Sequence, residues 1–129
     1  TNSQAILLHM SFVTNNDLAN IPAGRIMGID YGARRIGIAL SDPGQIIASS
    51  YQTLMVKSAS ESFDSIKEII NKESVMTVVV GVPYHMNGGM SEKTREVQKF
   101  IADLQNVIEM PVIEWDERWS TQSARKALI

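Results

Sequence analysis

Two strand-like segments, far apart in the sequence, each end in acidic residues. Asp30 closes the segment 26–29, and Asp116 and Glu117 follow the segment 111–115. Carboxylate oxygens are the ligands that hard cations such as Mg²⁺ prefer, and a few suffice because this ion keeps several of its waters. Metal ions held in this way activate water for phosphodiester hydrolysis. Asp30, Asp116 and Glu117 are therefore candidate catalytic residues, with Asp30 and Asp116 as candidate metal ligands.

Each of these residues also has a structural explanation that involves no chemistry. The Asp30 carboxylate could simply accept hydrogen bonds from the backbone of a turn. Acidic residues are also favourable near a helix N-terminus, so the segment 116–118 could instead open a helix. From the residues alone, both explanations stay open.

Positively charged residues follow these two segments and a third strand-like segment, 75–81, although the chain carries a net charge of −2. Basic side chains beside a few carboxylates favour a site for a polyanion over non-specific coating of nucleic acid. Two alternatives remain. Arg34 and Arg35 in the first turn could be merely solvated instead of binding phosphate, and His85 could form hydrogen bonds within its loop instead of binding a metal. The candidate nucleic-acid-binding residues are Arg34, Arg35, Asn87, Lys93 and Arg118.

The apolar periodicity predicts the order β-β-β-α-β-α-β-α. Helices are predicted to begin after Ser58, after Ser91 and at Ser120 or Thr121, because these residues are good N-caps. The expected fold is α/β, a five-stranded mixed sheet in which a three-stranded antiparallel meander is joined by two parallel strands and flanked by helices. The carboxyl ends of the parallel strands would meet at one edge, where ligands of open α/β sheets bind. The predicted strands are 25–31, 34–41, 46–55, 75–81 and 111–115.

The composition bounds the protein class. The 129 residues suit one domain, with 44% hydrophobic and 20% charged residues and no cysteine. Absence of cysteine fits a reducing compartment, and no apolar run is long enough to span a bilayer, so we expect a cytoplasmic protein. Residues 1–24 are loop-like and are predicted to be a flexible leader, of which residues 6–8 could dock on the domain.

Three segments resemble the signatures of the YqgF/RuvX family. They are 28–39 with Ser41-Asp42, 79–83 with Asn87-Gly88, and 116–121 with Ala124. The resemblance implies an RNase H-like domain over 25–129 and a Mg²⁺- or Mn²⁺-dependent nuclease, monomeric or homodimeric. The family is described as Holliday-junction-resolvase-like and as processing the 5′ end of pre-16S ribosomal RNA. By motif match, Asp30 is the first metal-binding acid, and Asp116, with Glu117 beside it, is the second.

The sequence departs from the family pattern in one important respect. The family usually supplies a further Asp on a helix after the third motif, and the sequence ends at Ile129 before reaching it. We therefore expect the domain to be truncated at its C-terminus. Alternatives to a nuclease of RNA are a resolvase of DNA junctions, a non-catalytic nucleic-acid-binding module, and a lobe of an actin-like kinase, whose phosphate loop the segment 28–32 also resembles.

Overall fold

The computed structural model describes residues 3–7 and 21–118, which form a five-stranded sheet, two long helices and a short helical segment at residues 3–7. The sheet order is β3-β2-β1-β4-β5. β1 pairs antiparallel with β2, and β2 with β3, whereas β4 pairs parallel with β1 and with β5. The predicted meander and the two added parallel strands are therefore confirmed. The strands are β1 (Arg25–Tyr31), β2 (Arg35–Ser41), β3 (Ala48–Met55), β4 (Val75–Val82) and β5 (Val112–Asp116).

The helices α1 (Ala59–Glu73) and α2 (Glu92–Val107) begin at the predicted caps. The Ser58 side chain accepts a hydrogen bond from the backbone of Glu61, and Ser91 forms a reciprocal capping box with Thr94. Such caps satisfy backbone N–H groups that a helix leaves unpaired at its start. The predicted last helix lies outside the described residues.

Both helices cover the same face of the sheet, which we call the helix face. Their apolar stripes meet side chains from β1, β2 and β4 in the main core. Because strand residues alternate between faces, the side chains buried here come from every second position. Buried examples are Ile66 and Ile70 of α1, Leu104 of α2, Ile29 of β1 and Val80 of β4.

The opposite face of the sheet, which we call the glycine face, is lined by small residues and is covered in part by residues 3–7. These residues are helical, and Ile6 is fully buried against Val79 and Trp115. A Cβ atom added at Gly28 would lie 2.8 Å from Leu7 Cγ, so the glycine permits this close approach. Residues 6–8 were predicted to be able to dock on the domain, and Ile6 and Leu7 are buried against the sheet. Residues 8–20 lie outside the described residues, so the flexible leader stays a prediction.

The β2–β3 turn differs from the sequence-based expectation. β3 begins at Ala48 rather than at residue 46, and Ile46 and Ile47 are exposed. The carboxylate of Asp42 accepts hydrogen bonds from the backbone N–H groups of Ile46 and Ile47 at 2.8 and 2.6 Å. These bonds, together with the positive φ of 61° at Gln45, keep the two isoleucines in the turn despite their β-propensity.

Within the described part of the chain, no helix is long and apolar enough to cross a membrane.

Candidate functional site

Asp30 and Glu117 lie on the same face of the sheet, at the carboxyl ends of β1 and β5. Ile29 pairs with Val80, so Asp30 is level with Gly81 of β4. A Cβ atom added at Gly81 would lie 2.9 Å from Glu117 Oε1 and 3.2 Å from Glu117 Cγ. The missing side chain of Gly81 therefore leaves the space in which Glu117 crosses β4 toward Asp30.

The two carboxylates share one electrostatic environment. Burial raises the pKa of Asp30 above its ordinary value, and the charge of Lys93 partly opposes this. Burial also raises the pKa of Glu117, and the negative charge of Asp30 raises it further. A buried pair of like charges is unfavourable unless a cation or a proton compensates it. A cation bound at this edge of the glycine face would therefore relieve the repulsion between the two carboxylates.

Lys93 is held next to this pair from the first turn of α2. Its Nζ donates a hydrogen bond to the Tyr31 carbonyl oxygen at 2.8 Å and lies 5.5 Å from the centre of the Tyr31 ring. The Tyr31 ring is itself stacked on Phe100 of α2, with 4.4 Å between ring centroids. The ammonium group is thus positioned by a packed aromatic pair, although the side chain is exposed to an approaching ligand.

Asp116 is placed differently from Asp30. It pairs with Val82, whose side chain lies in the main core, so the Asp116 side chain is on the helix face. Arg118 holds its carboxylate: Nε donates to both oxygens at 3.0 Å, Nη2 to Oδ2 at 2.5 Å and the backbone N–H to Oδ1 at 2.9 Å. The structure therefore brings Asp30 together with Glu117 and does not bring it together with Asp116.

Arg118 also contacts the loop that follows β4. Its guanidinium lies 5.6 Å from the centre of the Tyr84 ring, and Nη1 is 3.5 Å from the carbonyl oxygen of His85. The Tyr84 hydroxyl donates to the Glu114 carboxylate. Through these contacts Arg118 holds the loop after β4 in place. The sequence did not predict them. No sequence signal pairs a tyrosine with a glutamate thirty positions later, because the contact depends on how β4 and β5 align.

The other predicted nucleic-acid-binding residues lie at two places. Arg34 and Arg35 are exposed in and after the β1–β2 turn, and Arg35 lines a cavity with Asp30 and Lys93. Asn87 is exposed in the loop after β4, where its Oδ1 accepts a hydrogen bond from the backbone of Gly89 at 2.8 Å. Arg35 and Lys93 are thus close to the acid pair, whereas Asn87 belongs to the loop that Arg118 holds.

Few side chains at this edge of the sheet could bind a divalent metal. Among residues 3–7 and 21–118, no group of three or more His, Cys, Asp or Glu side chains is close enough to hold an ion. Two carboxylates, Asp30 and Glu117, remain, and their negative charge, which Lys93 opposes only in part, suits a hard cation that keeps several waters. The residues present therefore fit Mg²⁺ or Mn²⁺ with these two acids as protein ligands.

Solved structures of Holliday junction resolvases have a similar fold. RuvC of T. thermophilus, in complex with a Holliday junction substrate, matches with a TM-score of 0.54 at 14% identity over 72% of this chain and 64% of that chain. The yeast mitochondrial resolvase Ydc2 matches with a TM-score of 0.55 at 9% identity over 83% of this chain and 56% of that chain. The expected RNase H-like fold is therefore confirmed.

Sequence comparison is more specific. A protein of Thermoanaerobacter pseudethanolicus named "Putative pre-16S rRNA nuclease" is 39% identical over 105 residues, which are 81% of this chain and 76% of that protein. A family model described as RuvX, Holliday junction resolvase, matches residues 24–129. Since this match includes most of the sequence and all three signature segments, the chain belongs to the RuvX family.

Proposed function

We propose that this phosphodiester hydrolase is a metal-dependent endonuclease that matures the 5′ end of pre-16S ribosomal RNA in the cytoplasm. The substrate is proposed from the name of the Thermoanaerobacter relative. The observation that carries the metal dependence is the pair of half-buried carboxylates, Asp30 and Glu117, on one face of the sheet. Burial raises the pKa of Glu117, and the negative charge of Asp30 raises it further. Together with the adjacent Lys93, they form a site for a metal ion and a phosphate group.

In this proposal each residue near the site has a separate task. Asp30 and Glu117 would hold Mg²⁺ or Mn²⁺, which supplies an activated water and stabilises the leaving oxygen. Lys93 and Arg35 bind the backbone phosphates on either side of the cleaved bond. Asp116 acts as a positioning residue, because it orients Arg118 and, through it, the loop after β4.

The proposal predicts that Asp30→Asn abolishes cleavage and leaves the fold and most RNA binding intact. The substitution removes one carboxylate charge without changing the size of the side chain, so metal binding should be lost. Cleavage would be measured with Mg²⁺ on a labelled RNA that contains the 5′ end of 16S rRNA and its leader, and on a four-way DNA junction. Binding of Mn²⁺ would be measured by titration calorimetry.

The matched variants Glu117→Gln and Asp116→Asn separate the two acids. We expect Glu117→Gln to lose Mn²⁺ binding as Asp30→Asn does, and Asp116→Asn to keep it. Cleavage by Asp30→Asn at the wild-type rate would overturn the metal site. Cleavage of the DNA junction, but not of the RNA, would leave the metal site standing and make the protein a junction resolvase.

A further inference from the structure

A cavity of about 630 Å³ extends from Asp30 across β2 to β3 on the glycine face. Lys93 and Arg35 line it together with Asp30, and on β3 its lining includes Gln52 and Thr53. We call this cavity the β3 groove. Its volume is within the range of about 300–1,000 Å³ that is typical of small-molecule sites. It begins at the candidate metal site and continues away from it.

The strand register explains why the groove is open. Asp30 pairs with Gly37, and Gly37 pairs with Thr53, so the three residues form one row across β1, β2 and β3. Gly37 has no side chain, and a Cβ atom added there would be 3.8 Å from the Cβ of Asp30. Neighbouring strands are about 4.8 Å apart, so Thr53 lies about 10 Å from Asp30. Gly37 lies between them in the sheet, and Ser3, which also lines the groove, has its Oγ 3.6 Å from the position of that added Cβ.

The β3 side of the groove is polar but uncharged. Residues 49–53 of β3 are all exposed, and none of them is charged. Thr53 pairs with Gly37, so its side chain is on the glycine face, and within the described residues it has no hydrogen-bond partner. Phosphates are contacted most strongly by Lys and Arg, whereas hydroxyl and amide groups are suited to sugar hydroxyls and base edges. The lining therefore changes from positively charged at Lys93 and Arg35 to an uncharged hydroxyl group at Thr53.

We propose that the β3 groove binds the nucleotide next to the cleaved phosphate, and that Thr53 contacts its ribose 2′-hydroxyl. This inference rests on the proposed function, because it assumes that a phosphate of the substrate lies at Asp30. The 2′-hydroxyl is the group by which a protein distinguishes RNA from DNA at a given position. Thr53 is thus a specificity-determining residue that makes this site prefer RNA.

The test compares RNA and DNA hairpins of the same sequence, labelled with fluorescein, by fluorescence anisotropy. The Asp30→Asn protein is used as the parent, so that no hairpin is cleaved during the measurement. Adding Thr53→Val, which replaces the hydroxyl by a methyl group of similar size, should weaken RNA binding about fivefold, the value of one hydrogen bond. DNA binding should be unchanged, and Thr53→Ser, which keeps a hydroxyl, should restore RNA binding.

Two further variants on the same hairpin of the sheet serve as controls. Ser49 is exposed on β3 but pairs with Leu40, whose side chain lies in the main core, so Ser49→Ala removes a hydroxyl from the helix face and should change nothing. Arg35→Ala should weaken RNA and DNA binding alike and reduce the salt dependence, as expected for a phosphate contact.

The outcomes distinguish the inference from the proposed function. Equal effects of Thr53→Val on RNA and DNA, or no effect on RNA, would overturn the role of Thr53 and leave the nuclease proposal standing. A parent protein that binds neither hairpin would overturn both.

Discussion

Asp116 and Glu117 are adjacent in the sequence but reach opposite faces of the sheet. Successive side chains of a strand alternate between faces, so a single step along the chain decides which acid meets Asp30. Asp116 pairs with Val82 and lies on the helix face, whereas Glu117 lies over Gly81 on the glycine face. The chemistry of the site therefore depends on strand register as much as on residue type.

The raised pKa of Asp30 predicts a specific effect on stability. A carboxyl group whose pKa is raised in the folded protein contributes stability below its unfolded pKa of about 3.9, and this contribution is lost as pH rises through the folded value. Asp30→Asn removes the ionisation that burial disfavours. We therefore expect Asp30→Asn to have a higher free energy of unfolding than the wild type at pH 7, in metal-free buffer, and no advantage at pH 3. Urea denaturation at several pH values would measure this.

The control for this prediction is Asp64→Asn, which changes an exposed carboxylate on α1. This variant should show no comparable gain at pH 7. A gain for Asp30→Asn that stays constant from pH 3 to pH 7 would mean that side-chain packing, rather than ionisation, causes the difference.

At this scale the sequence predicted the residue types of the site but paired Asp30 with Asp116 as metal ligands, whereas the structure brings Asp30 together with Glu117. Asp30, Glu117 and Lys93 could be named because charged side chains after apolar segments are unusual enough to be noticed. Gly81 was not singled out as part of the site, since a glycine at the end of a strand has several explanations. Its contact with Glu117 depends on the alignment of β4 with β5, which no local pattern reports.

At the scale of elements, short-range rules were enough to predict most of the helices and strands. The caps at Ser58 and Ser91 and the β-branched run of β4 identify their elements from sequence, because each follows from a short-range rule. The start of β3 was predicted too early, because the Asp42 carboxylate accepts hydrogen bonds from the backbone of Ile46 and Ile47 and so keeps these residues in the turn. A side chain that replaces a strand partner in this way competes with β-propensity.

The fit between β4 and the residues above it can be tested with Gly81→Ala. The new Cβ would lie 2.6 Å from Ile6 Cδ1 and 2.9 Å from Glu117 Oε1, so both side-chain ends must move. Because these are flexible ends rather than backbone, the fold should persist while Glu117 is displaced. If Glu117 is a metal ligand, as proposed, its displacement should lower Mn²⁺ affinity by roughly 10-fold or more, measured by calorimetry.

Gly28→Ala is the matched control on the same face. Its Cβ would meet Leu7 Cγ and the Ser3 carbonyl oxygen, both at 2.8 Å, so it should displace residues 3–7 and leave Glu117 in place. Equal losses of Mn²⁺ affinity in the two variants would show that residues 3–7, rather than the position of Glu117, control the metal site.

At the scale of the whole molecule, the two faces of the sheet have different tasks. The helix face carries the large aliphatic core under α1 and α2, and so supplies most of the stability. The glycine face has a smaller apolar cluster and keeps a cavity open beside Asp30. The mixed topology could be predicted from the order of the elements, since right-handed crossovers leave few alternatives. The difference between the two faces could not be predicted, because it follows from Gly28, Gly37 and Gly81, which lie in adjacent strands.

If the acid pair binds a metal, the whole domain should be stabilised by it. A ligand that binds only the folded state adds about 2.7 kcal/mol when its concentration is 100 times its dissociation constant. For a domain of this size, such a gain raises the melting temperature by roughly 10 °C. We expect Mn²⁺ to raise the melting temperature of the wild type and of Asp116→Asn, but not that of Asp30→Asn or Glu117→Gln, in thermal scans followed by circular dichroism. A shift that is lost in Asp116→Asn and kept in Glu117→Gln would assign the second ligand to Asp116. That result would require a different register of β5 against β4, because the present register places the Asp116 side chain on the helix face.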